Sequence, residues 1–345
     1  MRFNKLDLNL LVALDVLLKE RSVTRAAEQL NLSPSAMSNS LSRLRAYFDD
    51  ELLIPIGRKM EITPRAEALG DVVRDVLLQI DSRIAAQPTF DAKHSDRIFR
   101  IFASDYTQVV LVPTILGLAA KAGSTVRFHF LPQVSNPIRD LERGEADALI
   151  IPSGFTSPGH PQDELYREEF VCLVWKDSRV ASGEWSFERY IAAEHAVMRP
   201  PASDADSFEG WFLRRFGVTR RVAVTTYSFV SLPGLVVGTE FVATVHARLA
   251  RRMVQAWPLE VRPVPVAIEP MAQALQWHKF RTTDPGMMWL RDLAARAARE
   301  IEHDFRAPGH DGALGKDQAV PGSADQRDVG PGSDPVACKP DAPTE

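Results

Sequence analysis

Residues 24–45 read Thr-Arg-Ala-Ala-Glu-Gln-Leu-Asn-Leu-Ser-Pro-Ser-Ala-Met-Ser-Asn-Ser-Leu-Ser-Arg-Leu-Arg. The pattern predicts two short helices joined by a tight turn. Thr24 is the predicted N-cap of the first, with Glu28 as its capping partner. Ala26 and Ala27 are small enough to let two helices approach closely. Leu30-Asn31-Leu32 makes the turn. Ser33 caps the second helix, and Pro34 sits where a missing N–H costs nothing. Met37, Leu41 and Leu44 repeat at four and three residues and face a core. Ser33, Ser35, Ser38, Asn39 and Ser42 are left for the outer face, with Arg43 and Arg45 one to two turns further on. Short hydroxyls and an amide reach base edges without filling a groove, and arginines at the far end meet phosphates. Such a helix suits the major groove of double-stranded DNA.

The flanks extend this unit. Leu10, Leu11, Leu14, Leu17 and Leu18 form one apolar face of a preceding helix, roughly Leu8 to Glu20. Downstream, two short apolar runs between Leu52 and Thr63 flank Gly57-Arg58-Lys59, a predicted β-hairpin wing with Arg58 at its basic tip. Residues 1–63 thus read as a winged helix-turn-helix. The competing reading is a three-helix bundle with a solvated polar face. Residues 1–65 hold ten Lys and Arg against eight Asp and Glu, a net of +2. That is modest, so DNA affinity must come from charge placement and from pairing of two copies.

From Pro64 to about Gln87, Leu69, Val72, Val73, Val76, Leu77, Ile80 and Ile84 fall on one helical stripe, ended by Pro88. A helix of that length measures ~35 Å. Residues 64–90 are therefore expected to be a linker helix pairing with a second copy, in a homodimer or homotetramer. The alternative is that the stripe packs on its own domain.

Beyond Pro88 the texture becomes strand, helix, strand. Strands are predicted at 97–103, 125–131 and 146–152, with helices at 109–121 and 137–143, an order that implies a parallel sheet. A second lobe is expected over 165–267, and the first over 91–164 and 268–305. The fold class is α/β, with a clamp like that of periplasmic binding proteins. Ligands of open α/β sheets sit beyond the carboxyl ends of strands. That rule selects Ser104, Asp105, Tyr106, Thr107, Ser135 and Phe155 on the first lobe, and Tyr227, Ser228, Phe229 and His246 on the second. The set is rich in rings and hydroxyls and poor in cations, which suits a small planar aromatic ligand with phenolic or carbonyl oxygens. Local capping or core packing is the plainer reading for each. Asp105 disfavours an anionic ligand unless a cation such as Arg199 reaches the cleft.

Residues 306–345 hold six Gly, six Pro and a net charge of −3, and are expected to be a disordered tail. The chain is 45% hydrophobic, with a net charge of −4. No run reaches the ~20 apolar residues of a membrane span. The N-terminus has no signal-peptide pattern. Cys172 and Cys338 imply no disulfide framework, so the location is expected to be cytoplasmic. The eight histidines are scattered, and no nucleotide, metal or nucleophile motif is found. An enzyme is disfavoured, no cofactor is expected, and a solute-binding protein does not fit the N-terminal motif.

These residues together resemble the LysR-type transcriptional regulators over residues 1 to about 305, and within them the nodulation-regulator subgroup that answers flavonoids and includes regulators of aromatic and chloroaromatic degradation. The resemblance rests on Leu6-Asp7-Leu8-Asn9-Leu10-Leu11-Val12-Ala13-Leu14, Glu20-Arg21-Ser22-Val23-Thr24-Arg25-Ala26-Ala27, Ser35-Ala36-Met37-Ser38, Gly57-Arg58 and Thr63-Pro64-Arg65-Ala66-Glu67-Ala68-Leu69. It continues in Asp105-Tyr106, Arg143-Gly144-Glu145-Ala146-Asp147, Arg220-Arg221, Gln276-Trp277 and Thr283-Asp284-Pro285. It implies a DNA-binding regulator, an activator in the first instance, that pairs with a second copy, engages RNA polymerase and is controlled by a small aromatic inducer. A non-aromatic metabolite, or no ligand at all, is the alternative. The chain departs from the pattern at three places. The family usually has Gln then Pro after the capping Ser, whereas Pro34 here precedes Ser35, so Ser35 replaces the usual base contact. Arg commonly stands where Asn39 and Pro55 are, which leaves Arg58 as the wing contact. Gly commonly stands where Ala66 is, a harmless change in a helix.

Overall fold

The computed structural model describes residues 6–57, 59–81, 84, 89–132, 136–200, 207–215 and 217–306. Arg58, Ser135, the end of the expected linker and the expected tail from 307 lie outside the described residues.

The N-terminal unit is three helices and a hairpin: α1 (Leu8–Glu20), α2 (Val23–Gln29), α3 (Pro34–Phe48), β1 (Leu53–Ile56) and β2 (Lys59–Ile62). Each start has its cap. Asp7 accepts from the Leu10 N–H, Ser22 from Arg25 and Ser33 from Ala36. The second helix therefore begins at Ser22 and not at the expected Thr24, because Ser22 has the extended backbone a cap needs. Asn31 takes the left-handed conformation, at φ 53°, that the tight turn requires. Leu10, Leu14, Leu17, Met37, Leu41 and Leu44 close a buried core. In the wing, Leu53 pairs with Ile62, Pro55 with Met60 and Ile56 with Lys59.

The linker helix α4 (Pro64–Ile80) is capped by Thr63. Its apolar stripe is divided. Ala66 and Val73 are buried with α1, while Val72 stays 60% exposed and Val76 is also exposed. Buried Arg74 donates to Asp15 Oδ1 of α1, at 2.9 Å from Nε, which ties the linker to the DNA-binding unit.

Lobe I holds β3 (Ile98–Ala103), α5 (Asp105–Val110), α6 (Val112–Lys121), β4 (Arg127–Leu131), α7 (Pro137–Glu142), β5 (Ala148–Pro152), β6 (Gln162–Glu168), β12 (Met271–Trp277) and α12 (Pro285–Arg306). Its sheet order is β4-β3-β5-β12-β6. β3 runs parallel to β4 and β5; β12 runs antiparallel to β5 and β6. The expected parallel sheet is thus the parallel half of a mixed one. The strand at 162–168 belongs here, so the expected lobe boundary at 165 moves to Glu168–Phe170: a strand that zips onto β12 cannot also start the other sheet. The expected helix over 109–121 is two helices, broken at Leu111.

Lobe II holds β7 (Phe170–Trp175), α8 (Phe187–Ala192), β8 (Glu194–Met198), α9 (Phe208–Arg215), β9 (Arg221–Thr226), α10 (Leu232–Val236), β10 (Phe241–His246), α11 (Ala247–Met253) and β11 (Leu259–Pro263). Its order is β11-β7-β10-β8-β9, with β8, β9 and β10 parallel. One buried cluster, from Phe99 and Ile150 to Leu173, Val245 and Leu249, runs through both lobes.

Candidate DNA-binding surface and effector cleft

On α3 the inward positions Met37, Leu41 and Leu44 are buried, and Ser33, Ser35, Ser38, Asn39, Ser42 and Arg43 are all exposed. The helix therefore presents one continuous polar face. Parts of it are already occupied. Ser33 and Ser35 hydroxyls lie 2.9 Å apart. Ser42 Oγ donates to the Ser38 carbonyl at 3.0 Å. Arg43 pairs with Asp7 at 3.1 Å, both half-exposed; such a solvent-screened pair is weak and releases readily to a phosphate. Arg45 differs. Its guanidinium donates to the carbonyls of Glu51 and Leu53, both at 2.7 Å, so it holds the entry to the wing and is not the free phosphate contact its spacing suggested.

The second site lies where parallel strands of both lobes end. Ser104 follows β3 and caps α5, accepting from Thr107 N–H at 3.2 Å. Asp105 crosses to lobe II. Its Oδ2 accepts from Ser228 Oγ at 2.6 Å and from Val230 N–H at 3.0 Å. The structure thereby joins Ser104, Asp105, Tyr106 and Thr107 to Ser228, Phe229 and His246.

Their exposures differ from a simple lining. The turn of α5 rotates Tyr106 and Thr107 inward, and both are buried. Tyr106 stacks on His246, with ring centroids 3.7 Å apart and planes within 12°. Phe229 meets that imidazole edge-on, with centroids 4.6 Å apart. Burial drives His246 down to about 3. Tyr106, Thr107 and His246 thus form the floor beneath the cleft. Tyr227 is 73% exposed and Phe155 44% exposed, so neither is part of that buried group.

Sequence reasoning missed the groups under this floor. Glu168, at the end of β6, is fully buried and accepts from the Tyr106 hydroxyl. Arg248 reaches the same carboxylate at 3.1 Å. Burial raises the Glu168 carboxyl, opposed by Arg248. Burial and the neighbouring Tyr166 and Glu168 raise the Tyr106 hydroxyl. Gln273 on β12 donates to Thr107 Oγ1 at 3.1 Å, and its Oε1 is buried without a partner. A consecutive acidic pair, Glu168-Glu169, inside an otherwise strand-like run was the available signal. Among the described residues no cluster of three metal-ligating side chains exists, and none of the helices is long and apolar enough to cross a membrane.

Two family profiles match the chain: "Bacterial regulatory helix-turn-helix protein, lysR family" over residues 8–67 and "LysR substrate binding domain" over residues 92–299. Among characterised proteins, Nodulation protein D of Bradyrhizobium sp. (strain ANU 289) is 38% identical over 308 residues, 89% of this chain and 91% of that one. Nodulation protein D 1 of Rhizobium tropici is 37% identical over 87% of this chain and 98% of its own. Among solved structures, a probable transcriptional regulator from Pseudomonas aeruginosa superposes with a TM-score of 0.58 at 28% identity, covering 85% of this chain and 97% of that one. Full-length OxyR from the same organism gives 0.68 at 18% identity, over 85% and 95%. Full-length CbnR, solved with its target DNA, gives 0.54 at 14%, over 85% and 100%.

Proposed function

Because the chain belongs to the LysR family of DNA-binding transcriptional regulators, and is no enzyme, we propose that it is an activator switched by a small aromatic, phenolic effector bound between its two lobes. The observation that carries this is the Asp105 bridge between the lobes above the Tyr106–His246 ring pair. Tyr106 stacks on His246, Phe229 meets the same imidazole edge-on, and Asp105 joins the two lobes beside them. A flat ring rests on that floor, and its hydroxyl donates to the Asp105 carboxylate in place of Ser228. Asp105 disfavours a carboxylate ligand, although exposed Arg199 ends β8 at the same edge.

The polar face of α3, with Ser33, Ser35, Ser38, Asn39, Ser42 and Arg43, enters the major groove, and Arg58, the contact expected from the sequence, adds a charge for the phosphate backbone. The exposed Val72 and Val76 face of α4 pairs with a second copy, setting two recognition helices at half-sites separated by whole turns of DNA. RNA polymerase is the downstream partner, and the cytoplasm is the location. Effector binding works only if one lobe arrangement binds it more tightly than the other.

The test is a gel shift of the purified full-length protein on the DNA upstream of its own gene and its neighbours, with catechol, 4-hydroxybenzoate and a hydroxylated flavone as probes. A retarded band whose footprint changes with a phenol supports the reading. A band indifferent to every phenol leaves the regulator and removes the aromatic effector.

A further inference from the structure

The linker helix touches more than its own DNA-binding unit. Asp71, Asp75 and Leu78 fall on adjoining turns of α4, Asp81 follows at its C-cap, and each meets lobe I of the same chain. Asp71 faces Arg143 at 4.0 Å, Asp75 faces His278 at 3.9 Å and Asp81 faces Arg281 at 3.9 Å. One turn back on α1, Lys19 meets Glu145 at 3.4 Å. Between these pairs, Leu78 lies against Gly144, where a Cβ would come 2.7 Å from the leucine Cδ2. Gly144 also has φ +64°. Arg143, Gly144 and Glu145 are thus three consecutive residues that all address the DNA-binding half.

This contact lies on the edge of the lobe I sheet opposite the cleft, where β5 begins and β12 ends. The two edges are joined by residues 153–160. That segment starts beside the cleft with Phe155 and runs down across β12 to His160. Gln276 fastens its lower end, taking the Ser157 N–H at 2.9 Å and donating to the Ser157 and His160 carbonyls at 2.8 and 3.2 Å. His160 packs on His278, ring centroids 4.6 Å apart, and His278 faces Asp75.

The geometry points to a docking seat: the edge of lobe I opposite the cleft holds the linker helix of its own chain, and making or releasing this contact sets the angle at which α3 and the wing are presented to DNA. Three loose ion pairs, each weak alone, and the His278–Asp75 contact around one tight steric fit make a joint that switches between two arrangements rather than deforming continuously. The inference rests on the proposed ligand control only for the signal that arrives through residues 153–160.

The test uses the full-length protein without ligand. Asp71→Lys with Asp81→Lys sets like charges against Arg143 and Arg281. Hydrogen exchange over 140–147 and 276–282 is expected to rise about tenfold, as for a local opening, and the DNase I footprint to change length while DNA affinity stays within about threefold. Adding Arg143→Glu should partly restore both. Gly144→Ala should also raise exchange, and Gly144→Ala with Leu78→Ala should bring it back. The double variant keeps the backbone strain of a left-handed alanine and removes only the clash. Exchange equal in the single and double alanine variants would overturn the seat. So would faster exchange with an unaltered footprint, which makes the contact purely structural. Loss of the footprint by the unaltered protein would instead strike the DNA-binding assignment.

Discussion

Asp105 and Ser228 sit on different lobes, 123 positions apart in sequence, and their side chains are joined by a 2.6 Å hydrogen bond. The Val230 N–H adds a second bond to the same carboxylate oxygen. The lobes are therefore latched from within, at the position where an effector's polar group would lie. A hydrogen bond to a charged acceptor is worth about 1.5–3 kcal/mol, and less here because both side chains are only half-buried. Ser228→Ala should lower the melting temperature of the protein by about 2–5 °C, and Ser228→Thr, which keeps the hydroxyl, should not. Equal melting of the two variants would show that the latch contributes nothing in solution.

The two arginines of α3 separate by role. Arg43→Ala should leave the melting temperature unchanged and weaken DNA binding at low salt, with the slope of log affinity against log salt reduced by about 1. Arg45→Ala removes two bonds to the backbone at the base of the wing and should cost about 1–3 kcal/mol of stability. A gel-shift salt series beside thermal melts reads both. An Arg45→Ala protein of full stability and altered salt slope would reverse the assignment.

Acid should unfold the effector domain early. Burial holds His246 at about 3 and His195 at about 4, against ~6.5 in the unfolded chain. Below ~6.5 the unfolded chain therefore takes up protons that the native one refuses. The stability these neutral imidazoles allow is fully present above that pH and is lost as pH falls toward 3–4. Each adds about 1.4 kcal/mol per pH unit to the slope. His246→Phe keeps a ring against Tyr106 and should remove one such contribution between pH 5.5 and 4.5. Urea titrations at a series of pH values measure it. A slope identical to that of the unaltered protein would mean that His246 is already charged in the native state.

Val72 and Val76 are the exposed apolar positions of α4. Val72→Asp with Val76→Asp should leave the helix folded against α1, since neither residue is buried with it. Sedimentation should then report a monomer, and binding to a two-half-site operator should fall about 100-fold through lost bivalency. Retention of a dimer by this variant would place the interface elsewhere.

How far the sequence could be read depended on whether periodicity or long-range contact decided a residue's place. Met37, Leu41 and Leu44 announce their burial at three- and four-residue spacing, and Ser33 with Pro34 announces a helix start, so the DNA-binding unit was legible almost to the residue. The cleft was legible by position, because strands end where β-branched runs end: Asp105 and Ser228 were both picked out. Their direct bond was not, since it joins segments of different lobes. Tyr106 and Thr107 were taken for lining although a single turn of α5 rotates them into the floor. Glu168, despite the acidic pair that marks it, and Gln273 were passed over because a carboxylate and an amide in strands normally face water, whereas the pairing of β6 with β12 buries them. Arg45 was misread because it is held by two main-chain carbonyls, which leave no side-chain signature, besides the Glu51 carboxylate.

Pro55 has a consequence for crowding on DNA. It lies one residue below the pair that closes the wing's two-residue turn, and in such a hairpin that position turns its nitrogen away from the partner strand. Proline there removes a donor from the ribbon's open edge. A two-stranded ribbon with a bare edge invites a third strand, and edge-to-edge pairing is how exposed ribbons aggregate. When several copies of this chain bind side by side along one stretch of DNA, their wings can lie close without zipping together.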